Sequence, residues 1–258
     1  MPDQPATVVL CFPLFIALRI LFSLFCGSGR DFRMDAQAVL SGLVGRVAFK
    51  GQSNIPRQGP LLVVLNHYTR PGLAVNWAAL AISACMPAAP IWVMTSAWTK
   101  RQPGWDALRT RLTGLLFKRL ARVYGFITMP PMPPVEEEVI ERSASVRRLM
   151  DALRKEPQTI LCMAPEGRDF PDGQLGEPPP GIGRLVLQAC KTLQRVLPVG
   201  VYEGEGQLVV SFGKPCSLRE ILPLQPTDRE VSALLMRLIA AQLPQSLDGA
   251  YSSQTGER

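Results

Sequence analysis

The chain carries a single histidine, His67, at the end of an apolar run. Leu61, Leu62, Val63, Val64 and Leu65 read as a buried strand, and Asn66-His67-Tyr68-Thr69-Arg70-Pro71-Gly72 as the polar turn that leaves it. An imidazole titrates near neutral pH, so a histidine at a strand end can serve as a general base; the plain alternative is a cap on the strand. A second turn of the same build follows the run from Thr159 to Met163, as Ala164-Pro165-Glu166-Gly167-Arg168-Asp169-Phe170. It holds two carboxylates, Glu166 and Asp169. It also holds Arg168, whose planar fork suits phosphate, and Gly167, which lets a ligand approach the main chain. Read alone, Glu-Gly-Arg is an ordinary surface turn. If the two strands are neighbours, however, their ends place a base, carboxylates and a guanidinium on one rim, with Asn66 and Arg70 beside them. In open α/β sheets that rim is where ligands bind.

The elements needed to hold such a rim are present. From Gly45 onward short apolar runs alternate with helical patterns. Strands are predicted near 46–50, 61–65, 91–95, 124–129, 159–163, 196–201 and 207–213, and helices over 73–85, 104–123, 135–156, 181–194 and 228–243. This alternation predicts an α/β fold, a mostly parallel central sheet of about seven strands flanked by helices. Glutamates open the 135–156 helix and Arg154-Lys155 close it, so both ends suit the helix dipole. In the 104–123 helix, Arg111, Lys118 and Arg122 share one face and Leu108, Leu112, Leu115 and Leu116 line another. Such a helix either presents a solvated surface or meets anionic lipid or phosphate.

Residues 6–26 are almost wholly apolar but contain Pro13 and Arg19. An arginine inside a spanning helix costs about 3 kcal/mol, and the flanks do not resemble a cleaved signal peptide. An interfacial helical anchor with Arg19 reaching the headgroups fits better than a span; a plain buried helix is the alternative. Residues 35–46 read as a second, milder apolar helix. The expected organisation is a membrane-association segment over 1–44, an α/β domain over 45–244 and a flexible tail over 245–258.

Composition narrows the partners. Lysine and arginine total 28 against 21 acidic residues, for a net charge of +7, and 47% of residues are hydrophobic. The sequence pI is about 9.3 and the mean hydropathy +0.12. A basic, apolar chain suits anionic partners, and the absence of zinc-finger spacing, RNP-like aromatics and a lysine-rich tail argues against nucleic acid. The six cysteines are scattered without a Cys-x-x-Cys pair, as free thiols in a reducing compartment are, and one histidine leaves no metal set. The expected location is the cytoplasmic face of a membrane.

The two turns, in their order and spacing, resemble the glycerophospholipid acyltransferases of the lysophosphatidic acid acyltransferase type, over roughly Gly51 to Gly213. Gly51-Gln-Ser-Asn54-Ile-Pro56 resembles that family's Gly-x-Glu-Asn-hydrophobic-Pro lead-in. Asn66-His67 matches its Asn-His-x4-Asp block, Ala164-Pro165-Glu166-Gly167 its Phe-Pro-Glu-Gly block, and Leu197-Pro198-Val199 its hydrophobic-Pro-hydrophobic strand. The resemblance is to a divergent member, by three departures. The family aspartate falls on Gly72. The arginine of Glu-Gly-Thr-Arg comes one residue early, as Arg168. Met129-Pro130-Pro131 stands where the second block tends to carry an arginine.

The resemblance implies transfer of an acyl group from an acyl thioester, acyl-CoA or acyl carrier protein, to a hydroxyl of a lysophospholipid or related glycerolipid, as in phospholipid biosynthesis. It implies no bound cofactor and no metal. His67 takes the role of general base. With Gly72 in place of the aspartate, Glu166 and Asp169 become the candidate acid partners, and Asp106 a more distant one. Asn66, Arg70, Gly167 and Arg168 are the candidate substrate-binding residues, and Trp77, Trp92 and Trp98 candidate linings for the acyl chain. A lipid-binding protein that has lost catalysis is the alternative reading. A hydrolase using His67 lacks a nucleophile elbow.

Overall fold

A computed structural model describes residues 8–97, 105–131, 138–168 and 174–251, with the main chain alone over 105–108. Asp169 and Trp98 lie outside the described residues, as does the Asp106 side chain. The strands are β1 Val47–Lys50, β2 Leu61–Leu65, β3 Ile91–Thr95, β4 Ile127–Met129, β5 Ile160–Met163, β6 Arg195–Gly204 and β7 Gln207–Phe212. The helices are α1 Leu14–Cys26, α2 Phe32–Ser41, α3 Asn76–Cys85, α4 Trp105–Tyr124, α5 Glu138–Lys155, α6 Ile182–Ala189, α7 Leu218–Ile221 and α8 Asp228–Ala240.

All seven predicted strands form one sheet in the order β1-β7-β6-β2-β5-β3-β4. Its pairings are parallel except that between β6 and β7, the hairpin closed at Glu205-Gly206. β2 and β5 are therefore neighbours, paired from Leu61↔Ile160 to Val64↔Met163. Three residues beyond that last pair stand His67 on one strand and Glu166 on the other. The sheet is covered on both faces, and the continuous apolar run of β2 follows from that burial. Leu61, Val63 and Leu65 enter a core with Trp77, Leu80 and Ile82 of α3, while Leu62 and Val64 enter a second core with Leu149, Val186 and Leu235. Trp77 and Trp92 belong to the first core, and the Trp92 indole donates to Ser83 Oγ at 2.9 Å. They are packing residues.

The ends of the chain depart from the sequence reading. Pro13 caps α1, so the apolar stretch splits into an extended segment from Val8 and a helix of 13 residues. At 1.5 Å per residue that helix is about 20 Å long. No helix among the described residues is long and apolar enough to cross a membrane. At the other end, residues 245–251 pack against the fold where a flexible tail was expected. Asp248 is buried and Leu247 C=O accepts the Leu175 N–H at 3.0 Å. All six cysteines are free; Cys162 and Cys190 are buried, but Cys11 and Cys26 are exposed.

Candidate active site

The rim begins where β2 ends. Asn66 is buried, and its amide completes the sheet: Oδ1 accepts the Val201 N–H at 2.7 Å and Nδ2 donates to the Val201 carbonyl at 2.8 Å. A side-chain amide thus does the work of a main-chain pair, so the backbone can leave the ladder at His67 without orphaning the groups of β6. Asn66 was expected to contact substrate. Its amide oxygen and one of its N–H groups are instead committed to β6, a positioning task.

His67 is half-buried and is held to β5 by Glu166. The Glu166 carboxylate is 2% exposed. Oε2 accepts the main-chain N–H of His67 at 2.5 Å and Oε1 that of Gly176 at 2.8 Å. A buried carboxylate needs such donors, and bonds to an ionised group are the strong kind. Glu166 therefore fixes the histidine to the neighbouring strand end and to the segment around Gly176. That segment is supported in turn by the C-terminal turn through Leu175 and Leu247. The Tyr251 phenol lies behind the same loop; burial, with the Glu177 and Glu166 carboxylates near it, raises its pKa.

Arg70 is differently placed from its expected phosphate-binding role. Its Nε and Nη2 form a two-pronged ion pair with Glu203 of β6. Nη2 also donates to the Val8 carbonyl, and Nη1 to the Pro71 carbonyl, both at 2.7 Å. Glu203 accepts the Val8 N–H at 3.0 Å and the Tyr68 hydroxyl at 3.2 Å. The cluster ties the N-terminal segment to the rim and uses four of the guanidinium's five N–H donors. Burial pushes the Glu203 carboxyl up, but Arg70 and the Val8 N–H outweigh it and hold the pKa below the ordinary glutamate value. Nothing in the sequence linked Arg70 to Glu203, because 133 residues separate them.

Gly72, at the family aspartate's position, occupies a tight turn. Arg70 and Leu73 exchange main-chain hydrogen bonds of 3.0 and 2.9 Å, Pro71 takes the first corner, and Gly72 the second with φ of +84°. That is type II turn chemistry, which calls for glycine at the second corner. On the β5 side Gly167 has φ of +65°, and both it and Arg168 are exposed. At the second block, Arg142 of α5 donates to the carbonyls of Pro130 and Pro131 at 3.0 and 3.1 Å. Among the described residues no group of three or more His, Cys, Asp and Glu is placed to hold a metal.

The chemistry assembled here is a half-buried imidazole, a buried carboxylate fixed to its main chain and an exposed arginine beyond a left-handed glycine. Residues 46–202 match the family described as Acyltransferase. No curated protein matches the chain. Among solved structures it is similar to the 1-acyl-sn-glycerophosphate (LPA) acyltransferase PlsC of Thermotoga maritima, with a TM-score of 0.55, 15% identity and coverage of 87% of this chain and 86% of that one. At that identity the likeness speaks for the fold. The family match spans more than half of the chain and includes both rim turns, so the chain belongs to the acyltransferase family.

Proposed function

We propose that the protein transfers an acyl group from an acyl thioester, carried by coenzyme A or acyl carrier protein, to a hydroxyl of a lysophospholipid, with His67 as general base. The observation that supports this most is the pairing of β2 with β5, which puts His67 beside Glu166-Gly167-Arg168. The imidazole takes the hydroxyl proton as the oxygen adds to the thioester carbonyl. The tetrahedral adduct then collapses, the C–S bond breaks, and the thiolate takes the proton back from the imidazolium. The Glu166 charge, anchored on the His67 main chain, stabilises the positive ring, and Asp169 is the candidate to orient it. Arg168 binds the acceptor phosphate, and Gly167 gives it room. The apolar face of α1 holds the protein on the cytoplasmic side of the membrane, next to its lipid substrates.

A second reading, a lipid-binding protein without turnover, is favoured by Gly72, because the turn there provides no carboxylate. One experiment separates them. Purified protein is given an acyl thioester and a lysophospholipid, and free thiol release is followed. Turnover that falls at least 10³-fold in His67→Ala supports the enzyme. Lipid binding with no thiol release in the wild type sinks it.

A further inference from the structure

Helix α4 has an unusual surface for an element that covers the edge of a sheet. A core-facing helix hides its leucines and shows its charges. In α4, Leu112, Leu115 and Leu116 are 57%, 62% and 42% exposed. Arg111, Lys118, Arg119 and Arg122 stand exposed among them, while Ala121, Val123 and Tyr124 face inward. The spacing of Leu112, Leu115, Arg119 and Arg122 puts all four on one stripe, so the leucines and cations mix on one exposed face where separate faces were expected. Among the described residues none of the four cations is paired with a carboxylate.

The neighbouring α1 extends this face. Leu14, Phe15, Leu18, Leu21, Phe22 and Phe25 are each more than half exposed. The two helices are joined by Leu24 against Val123 and Tyr124. The loop after α1 and helix α2 latch onto α4 as well: the Arg30 main chain donates to the Val123 carbonyl at 2.8 Å, and the Tyr124 hydroxyl donates at 2.8 Å to Asp35 of α2, which pairs with Arg30. At their junction Leu24, Phe25, Gly27, Arg119, Arg122 and Val123 line a crevice of about 170 Å³.

We propose that α4 is a docking surface for an anionic phospholipid bilayer. Its leucines enter the interfacial layer beside α1. Arg111, Lys118, Arg119 and Arg122 bind headgroup phosphates, with Arg119 and Arg122 sharing one in the crevice. A mixed leucine and arginine stripe matches that partner on both counts: apolar depth for the acyl boundary, and positive charge for the anionic headgroups. The proposal rests on the membrane-bound reading of α1 but not on acyl transfer.

The test is sedimentation of the full chain with vesicles of phosphatidylglycerol and phosphatidylcholine, against phosphatidylcholine alone. The wild type should bind the anionic vesicles at least 10-fold more tightly. Arg119→Gln with Arg122→Gln should lower that binding on the order of 10-fold and leave phosphatidylcholine binding and the melting temperature unchanged, since each cation near an anionic surface is worth about 5-fold. Leu112→Ser with Leu115→Ser should weaken both. Equal binding of the two vesicle types, or no effect of the arginine pair, overturns the proposal. So does displacement by millimolar inorganic phosphate at constant ionic strength, which would make the crevice a free-phosphate site. A dimer that Leu112→Ser with Leu115→Ser dissociates would make the face a contact between copies. His67→Ala should bind vesicles like the wild type. Selective docking without thiol release would therefore sink the enzyme alone, and thiol release from micelles without selective docking would sink this surface alone.

Discussion

Glu166 is a buried carboxylate whose two oxygens each answer a main-chain N–H. An amide in its place has only one oxygen, so in Glu166→Gln either His67 or Gly176 faces an N–H donor. The expected cost is about 2–3 kcal/mol in urea unfolding, and about 10²-fold in turnover because the histidine moves. Gly72→Asp tests the family aspartate. The substituted residue must adopt φ of +84°, and its Cβ would stand 3.4 Å from Arg70 Nη1. The carboxylate would compete with Glu203 for that guanidinium, so the expected result is a loss of about 1 kcal/mol and no gain in rate. A gain in rate would show that the turn can deliver an acid to His67. Glu203 carries a pH signature. Its folded-state pKa lies below the unfolded value, so it stabilises the fold above that unfolded value and loses the contribution as pH falls through the folded pKa. Unfolding followed from pH 7 downward should show an acid limb, below about pH 4.3, that is shallower in Glu203→Gln. His67, Glu166 and Gly167 were legible as neighbours on one rim because local pattern placed each at a strand end. The tasks of Asn66 and Arg70 were not, because each is set by a partner on β6, Val201 or Glu203, that no local pattern names.

Among the elements, the strands were the most legible. β2, buried on both faces, has to be apolar without interruption, and β3 and β5 stand inside the same sheet. Short or weakly patterned elements were not: α7 has four residues, and the turn at Gly249–Tyr251 lies in a polar stretch. That turn nevertheless supports the site. Gly249 has φ of +54°, and a Cβ there would come 2.6 Å from the Leu175 carbonyl, next to the Gly176 N–H that Glu166 holds. Gly249→Ala should therefore cost about 1–3 kcal/mol in thermal unfolding and lower kcat more than it raises KM. A variant as active and as stable as the wild type would show that the C-terminal turn does not position the rim.

On the scale of the whole molecule, the two ends of the sequence reading meet in α1. Its apolar run has the composition of a membrane span but, cut by Pro13, not the length. What remains is a one-sided helix: Ile16 and Leu24 turn inward, Phe15, Phe22 and Phe25 stay exposed, and the Arg19 guanidinium lies 5.7 Å over the Phe15 ring. Periodicity alone could not separate this from a buried helix, because both faces are apolar and only the fold decides which one is covered. The Arg70, Glu203 and Val8 cluster fixes the segment leading into α1 to the rim, so α1 and the rim are mechanically one body. Phe22→Ser with Phe25→Ser removes two exposed rings without touching either core. Each ring buried at an interface is worth about 1.5 kcal/mol, so vesicle binding should fall on the order of 10²-fold. Acyl transfer to a lysophospholipid in vesicles should fall with it, while transfer to the same acceptor in detergent micelles stays near the wild-type rate. Equal loss in both media would mean that the rings serve the fold or the site, and that α1 is not the face turned to the membrane.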